Sequence, residues 1–290
     1  WFKYKNNLDE LSYIGDPDWA EPKLLVSELY TDNFSVLSED DELKLFYIDK
    51  NPDNIQETLY INNYNLKGEL KNSYKFKVAN SLNYFSVIKD DKFVHLFTIE
   101  GKKDSEQKLV YYKLDENNNI KKQKIILNDL SYAISLVSRK YNNEFYIALT
   151  ADKENKNYIK LVKFDSKNDQ IINDSRIEYS KKGKRLGVRY PEILFKDNKL
   201  YLSYLREDPL KLFTSSSDKT NKRELVLEVA NDDFETFEKQ KKILDRAYKR
   251  DKNSKAEMIL DKNKLYIFYH NYSLDDSQLL LNKAKISLKD

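Results

Sequence analysis

Cysteine is absent from this 290-residue chain, and glycine, proline, histidine and methionine are scarce, at five, five, two and one. Without cysteine there is no disulfide, no thiolate nucleophile and no thiolate-held metal. The two histidines, His95 and His270, have no second ligand close by in sequence, so no metal centre is expected. Gly183 and Gly187 sit among basic residues and lack the strand-turn-helix setting of a phosphate-binding loop, so no nucleotide cofactor is expected either. No apolar run approaches the length of a membrane-spanning helix. A strong field of one sign is missing too: 51 Lys and Arg stand against 48 Asp and Glu, a net charge of +3. The basic clusters at 121–124, 181–185 and 239–242 are interleaved with acids and read as solvated turns and strand edges, so no nucleic-acid partner is expected. Acidic turns at 40–41, 51–54, 115–119 and 231–233 lack the spacing of a calcium loop. The chain opens on Trp1, and an extracytoplasmic protein, periplasmic or surface-held through a preceding N-terminal segment, is the expected setting.

What is abundant is tyrosine, 22 residues, with 14 phenylalanines, arranged in a repeat. The segment from Pro191 to Tyr204, PEILFKDNKLYLSY, returns as AEMILDKNKLYIFY from Ala256 to Tyr269, and looser copies occur three times upstream. The apolar residues that open the second run of each copy are Leu43, Phe93, Phe145, Leu200 and Leu265, at intervals of 50, 52, 55 and 65 residues. The third copy needs about two extra turn residues within 138–143 to keep register. Each unit shows a first apolar run, an Asp/Asn/Lys turn, a second run, a polar loop, a third run and a weaker fourth. In the last unit the third and fourth runs are Leu279 to Leu281 and Ala284 to Leu288. Four strands per unit, five times over, predict an all-β fold, a five-bladed β-propeller with four antiparallel strands per blade, since a single blade cannot bury both of its faces. One domain over 1–290 follows, with 213–221 a long loop inside a blade. Residues 1–31, whose best strand is 23–29, close or cap the ring by pairing with the last blade. The tyrosines are expected to pack between sheets with their hydroxyls reaching water.

A propeller gathers the starts of its first strands around the central channel. Asp32, Asn83, Asp129, Arg189, Glu192 and Glu257 occupy such positions. Carboxylates converging there suit acid–base chemistry on a glycosidic bond, in which one acid protonates the leaving oxygen while a second carboxylate activates water or attacks carbon. Glu192 is the candidate donor, Asp32 the base or nucleophile, and Asp129 or Glu257 the group that holds them in register. Pro191 biases Tyr190 toward an extended backbone, which would present its ring beside Arg189 at the channel mouth. Arg189 and Glu192 are three positions apart, and on a regular strand that places them on opposite faces. Trp19, in the loop Gly15-Asp-Pro-Asp-Trp19, is a stacking platform if the loop folds over the same mouth, and otherwise a core residue sealing the ring.

The stretch from Val188 to Tyr204, followed by ELVLEVANDDFETF from Glu224 to Phe237, resembles a blade of the furanosidase-like five-bladed propellers, especially glycoside hydrolase family 43. In that family a Pro-Glu step opens an inner strand, a Lys-Tyr-Tyr-Leu-like run follows, and the third strand leads into a Ser/Asn-x-Asp-Leu/Phe phrase. The resemblance implies a base aspartate early in the chain, a tuning aspartate, and an acid glutamate on an inner strand. Glu192 matches the acid by local motif, and Asp32 the base, or Asp16 or Asp18 if 24–26 is the first inner strand. The family's middle Arg-Asp-Pro step has no counterpart, and Glu192 falls one unit later than the family's acid. Arg189-Tyr-Pro191 is also similar to the Arg-Ile-Pro step of sialidases, without their repeated Asp-box. Two functions follow as expectations: a carbohydrate-binding or glycan-hydrolysing propeller with an oligosaccharide at the channel mouth, or a non-catalytic interaction protein presenting its loops to a protein ligand.

Overall fold

The computed structural model describes residues 2–5, 10–13, 23–26, 33–39, 41–49, 58–78, 81–102, 106–153, 156–181, 184–207, 223–238, 242–247, 256–272 and 279–288. Every regular element among them is a strand. The chain divides into two compact units, Trp1–Asp129 and Leu130–Asp290. Its fold class is the five-bladed β-propeller, built from antiparallel sheets of three or four strands.

In the first unit, β1 (Phe2–Lys5), β2 (Glu10–Tyr13) and β3 (Lys23–Val26) form a small sheet of their own. Within this sheet β3 pairs antiparallel with β2. Blade 1 is β4 (Phe34–Glu39), β5 (Glu42–Asp49), β6 (Thr58–Asn65) and β7 (Leu70–Phe76). Blade 2 is β8 (Leu82–Lys89), β9 (Val94–Glu100), β10 (Gln107–Leu114) and β11 (Ile120–Leu130). The two blades bury one apolar layer between them, with Phe46, Ile48, Leu59 and Ile61 meeting Phe85, Leu96, Val110 and Tyr112. At roughly 1.5–3 kcal/mol per large apolar side chain removed from water, this layer is the main reason a four-stranded sheet persists here.

In the second unit, blade 3 is β12 (Ala133–Tyr141), β13 (Glu144–Lys153), β14 (Lys156–Asp165) and β15 (Gln170–Ile177). A two-stranded ribbon, β16 (Tyr179–Lys181) and β17 (Lys184–Leu186), leads to blade 4: β18 (Val188–Lys196), β19 (Lys199–Glu207), β20 (Arg223–Asn231) and β21 (Lys242–Ala247). Among the described residues blade 5 has three strands, β22 (Glu257–Asp261), β23 (Lys264–Tyr272) and β24 (Leu279–Ser287). The two runs predicted at the C-terminus are one strand: Asn282 and Lys283, read as a break, continue the ladder opposite Tyr269 and Phe268. One layer joins blades 3 and 4 through Val137, Tyr146, Ala148, Ile193, Leu202 and Tyr204. A second joins blades 4 and 5 through Tyr201, Leu205, Leu227, Met258 and Ile267.

The extra residues of the third copy lengthen the hairpin rather than its turn. β12 runs to Tyr141, and Asn142 and Asn143, at φ 48° and 64°, make a two-residue turn. Asp197 and Asn198, at 50° and 57°, do the same in blade 4. Left-handed Asn and Asp are the residues that match such turns to the twist of a hairpin. Tyrosine departs from expectation: Tyr111, Tyr112, Tyr146 and Tyr204 are fully buried. Tyr112 donates its hydroxyl to Glu100 at 2.7 Å and accepts from Gln123 at 3.2 Å, so its polar end is satisfied inside the protein and not by water.

Candidate functional site

The first strands of blades 2, 3 and 4 each carry a register shift near their start, between Leu82 and Tyr84, Ala133 and Ser135, and Arg189 and Glu192. An extra residue there bends the strand and re-aims the side chains that follow. In blade 4, Arg189 pairs with Leu205 and Glu192 with Ser203, three residues of β18 spanning two of β19. Paired residues share a face and alternate residues return to it. Arg189 and Glu192 therefore stand on the same face, against the expectation from their spacing, because the inserted residue at Tyr190-Pro191 breaks the alternation.

The bulge is fixed from the neighbouring blade. Tyr190 adopts φ 55°, not the extended backbone its proline predicts. Such a conformation is uncommon for an aromatic residue and persists only where its surroundings hold it. Pro191 has no N–H, so the bulge has one donor to satisfy, that of Tyr190, and it donates to Thr150 Oγ1 at 3.0 Å. Thr150 Oγ1 lies 2.7 Å from Ser135 Oγ, and both residues are buried. Blade 3 thus sets the backbone of blade 4 where the candidate residues lie.

Glu192 is 7% exposed, and its Oε1 accepts from Arg139 Nη2 of β12. The Arg139 side chain is 40% exposed, and its Nη1 donates to the Ser138 carbonyl at 3.1 Å. The guanidinium is the outward member of the pair and the carboxylate its buried anchor. Arg189 is half-buried, and among the described residues no hydrogen-bond or ion-pair partner is found for it. Across β18, Val188 pairs with Arg206, whose Nε and Nη2 both reach Glu224 Oε2 at 2.7 Å while its guanidinium lies 4.4 Å from the Tyr179 ring centre. Burial, and then Glu228, push the Tyr204 hydroxyl well above its usual range. These acids behind the bulge are committed to internal partners.

The other predicted residues fall elsewhere. Asp129 is exposed at φ 60° near the end of β11, in the first unit. Glu257 is the exposed first residue of β22, opposite Phe268. Asn83 donates to the Gly101 carbonyl at 2.7 Å within its own blade. Asp32, Asp16 and Trp19 lie outside the described residues. The structure thus brings together Glu192, Arg189 and Tyr190, and adds Arg139, Thr150 and Ser135, which the sequence reading missed. Arg139 falls in 138–143, where the repeat predicts extra turn residues; its signal is a lone arginine continuing an apolar first strand. Among the described residues no cluster of His, Cys, Asp or Glu is able to hold a metal ion. A 530 Å³ cavity lined by Asn198, Lys199, Ala230 and Phe237 lies at the turn end of blade 4, away from the bulge.

No known family description and no curated protein sequence matches the chain. Solved structures do. An endo-arabinase from Bacteroides thetaiotaomicron superposes with a TM-score of 0.51 over 89% of this chain and 94% of its own, at 12% identity. A family 43 β-xylosidase/α-arabinofuranosidase from a compost microbial metagenome, solved with xylotriose, gives 0.50 over 95% and 94%, at 13% identity. An exo-1,5-α-L-arabinanase from a bovine ruminal metagenomic library gives 0.50 over 86% and 91%, at 9% identity. At these identities the likeness establishes the fold, a propeller like those of glycoside hydrolase family 43.

Proposed function

We propose that this chain is a glycan-binding propeller, acting outside the cytoplasm, whose ligand is held by arginine donors on the first strands of blades 3 and 4. The Arg139–Glu192 pair carries this reading. A buried carboxylate fixes a partly exposed guanidinium from the next blade, which is how planar, multi-donor recognition of sugar oxygens is pre-organised. The same pair argues against Glu192 as a resting proton donor. It accepts from Arg139 and is nearly enclosed, so a leaving oxygen would first have to displace the guanidinium. Hydrolysis would further need Asp32 as base or nucleophile, with Asp129 or Glu257 holding the pair in register. The fold shared with an endo-arabinase and a β-xylosidase/α-arabinofuranosidase makes pentose oligosaccharides the first ligands to try.

Isothermal titration against arabino- and xylo-oligosaccharides tests this. Wild-type protein should bind and release no reducing sugar, and Glu192→Gln should weaken binding about tenfold by loosening Arg139, the worth of one charge-assisted hydrogen bond. Sugar release that vanishes in Glu192→Gln would make Glu192 catalytic after all. Indifference to every glycan would instead favour a scaffold for a protein partner.

A further inference from the structure

We infer that the ligand is acidic: a carboxylate-bearing sugar whose charge is met by Arg189. The inference rests on the glycan reading above and names the substrate class of that site. A guanidinium held partly out of water is ordinarily paired, because its donors lose hydration that the protein must replace. Arg189 is half-buried and no pairing is found for it among the described residues.

Three acids of its blade have partners of their own. Glu192 shares the face of Arg189 but is held by Arg139; Glu224 is held by Arg206, and Glu228 bonds Tyr204. Arg189 thus shares its face with a carboxylate that a guanidinium from the next blade already engages. Ser203, directly opposite Glu192 on that face, has a fully buried hydroxyl for which no hydrogen-bond partner is found among the described residues.

The placement is also built and not incidental. Arg189 immediately precedes the left-handed Tyr190, and the bulge that turns Arg189 onto the Glu192 face depends on two buried hydroxyls of blade 3. Backbone strain held by a neighbouring element, beside an uncompensated cation, is the arrangement expected where a ligand supplies the missing charge. A carboxylate offers two coplanar oxygens to the guanidinium fork, which the hydroxyls of a neutral sugar cannot match in charge.

The test compares matched pairs of ligands by titration calorimetry at low and moderate salt: an oligogalacturonide with its carboxyl-reduced form, a glucuronic-acid-bearing xylo-oligosaccharide with plain xylo-oligosaccharide, and sialyllactose with lactose. At least one acidic member should bind about tenfold or more tighter than its neutral counterpart, with a preference that shrinks as salt rises. Which pair shows the preference separates uronate from sialate. Arg189→Gln should reduce the acidic ligand to the neutral affinity, and Arg189→Lys, which keeps charge but loses the fork, should fall between. Melting curves of both variants verify folding. Neutral ligands binding as tightly as acidic ones, or a preference that survives Arg189→Gln, would overturn the inference while leaving the glycan reading in place. Absence of all binding would remove both.

Discussion

Blades 2 and 4 begin with the same device and use it differently. In blade 2 the register shift at Leu82 and Tyr84 is closed within the blade: Asn83 donates to the Gly101 carbonyl at 2.7 Å, and the Gly101 N–H donates to the Ser81 carbonyl at 2.8 Å. In blade 4 the shift at Arg189 and Glu192 borrows its acceptor, Thr150, from blade 3, and its carboxylate takes a guanidinium from the same neighbour. A bulge satisfied by its own hairpin is a structural bend. One satisfied by another blade couples two blades at the point where charged side chains are presented, and that coupling makes blade 4 the candidate site.

The largest expected effect breaks the self-contained bulge. Gly101 adopts φ 126°, and a Cβ there would stand 2.8 Å from the Glu106 carbonyl oxygen. Gly101→Val should lower stability by about 2–3 kcal/mol, combining backbone strain with a clash against main chain, read as a drop in denaturation midpoint. Glycan binding, measured under conditions where the variant is folded, should be unchanged. A loss of binding out of proportion to unfolding would mean blade 2 shares the site.

A smaller effect sharpens the contrast. Thr150→Val leaves the Tyr190 N–H without its acceptor and should cost about 1–2 kcal/mol. It should also weaken glycan binding, because the bulge that aims Arg189 and Glu192 relaxes. Asn83→Ala removes the matching bond in blade 2 and should cost about 1 kcal/mol with affinity intact. Equal effects of the two substitutions on affinity would erase the distinction between the bulges.

The smallest lies at the other end of blade 2. Burial raises the Asp90 carboxyl, but its bonds to His95 Nε2 at 2.7 Å and to the N–H groups of Lys92 and Phe93 outweigh that and hold it at about 2, from an ordinary 3.8. A carboxyl lowered by folding stabilises the protein fully above its unfolded value and loses that contribution as pH falls through the folded one. Stability should therefore decline between pH 4 and about 2, by about 1 kcal/mol once screening at this partly exposed group is allowed for. Asp90→Asn should flatten that part of the profile. An unchanged slope would show that other carboxylates govern acid unfolding.

Much was legible in the sequence because the information was local and repeated. Alternating apolar residues and Asn-rich turns, recurring about every fifty residues, dictate antiparallel hairpins that must stack to bury their faces; strand order and blade number followed. The Pro191-Glu192 step was legible as a special place for the same reason. Pairing choices of long range were not. Nothing local distinguishes Leu279 to Leu288 as one strand or two, since Asn282 and Lys283 fit a ladder as well as a turn until β23 is beside them. The side-chain direction of Arg189 depended on one inserted residue, and the conformation of Tyr190 on a threonine forty positions away. Sequence alone determined that this chain is a set of β blades with charged residues at the start of their first strands. Only the tertiary structure decided which charges neutralise one another, because ion pairing depends on distances between blades, and those are set by how the buried layers of neighbouring sheets interlock.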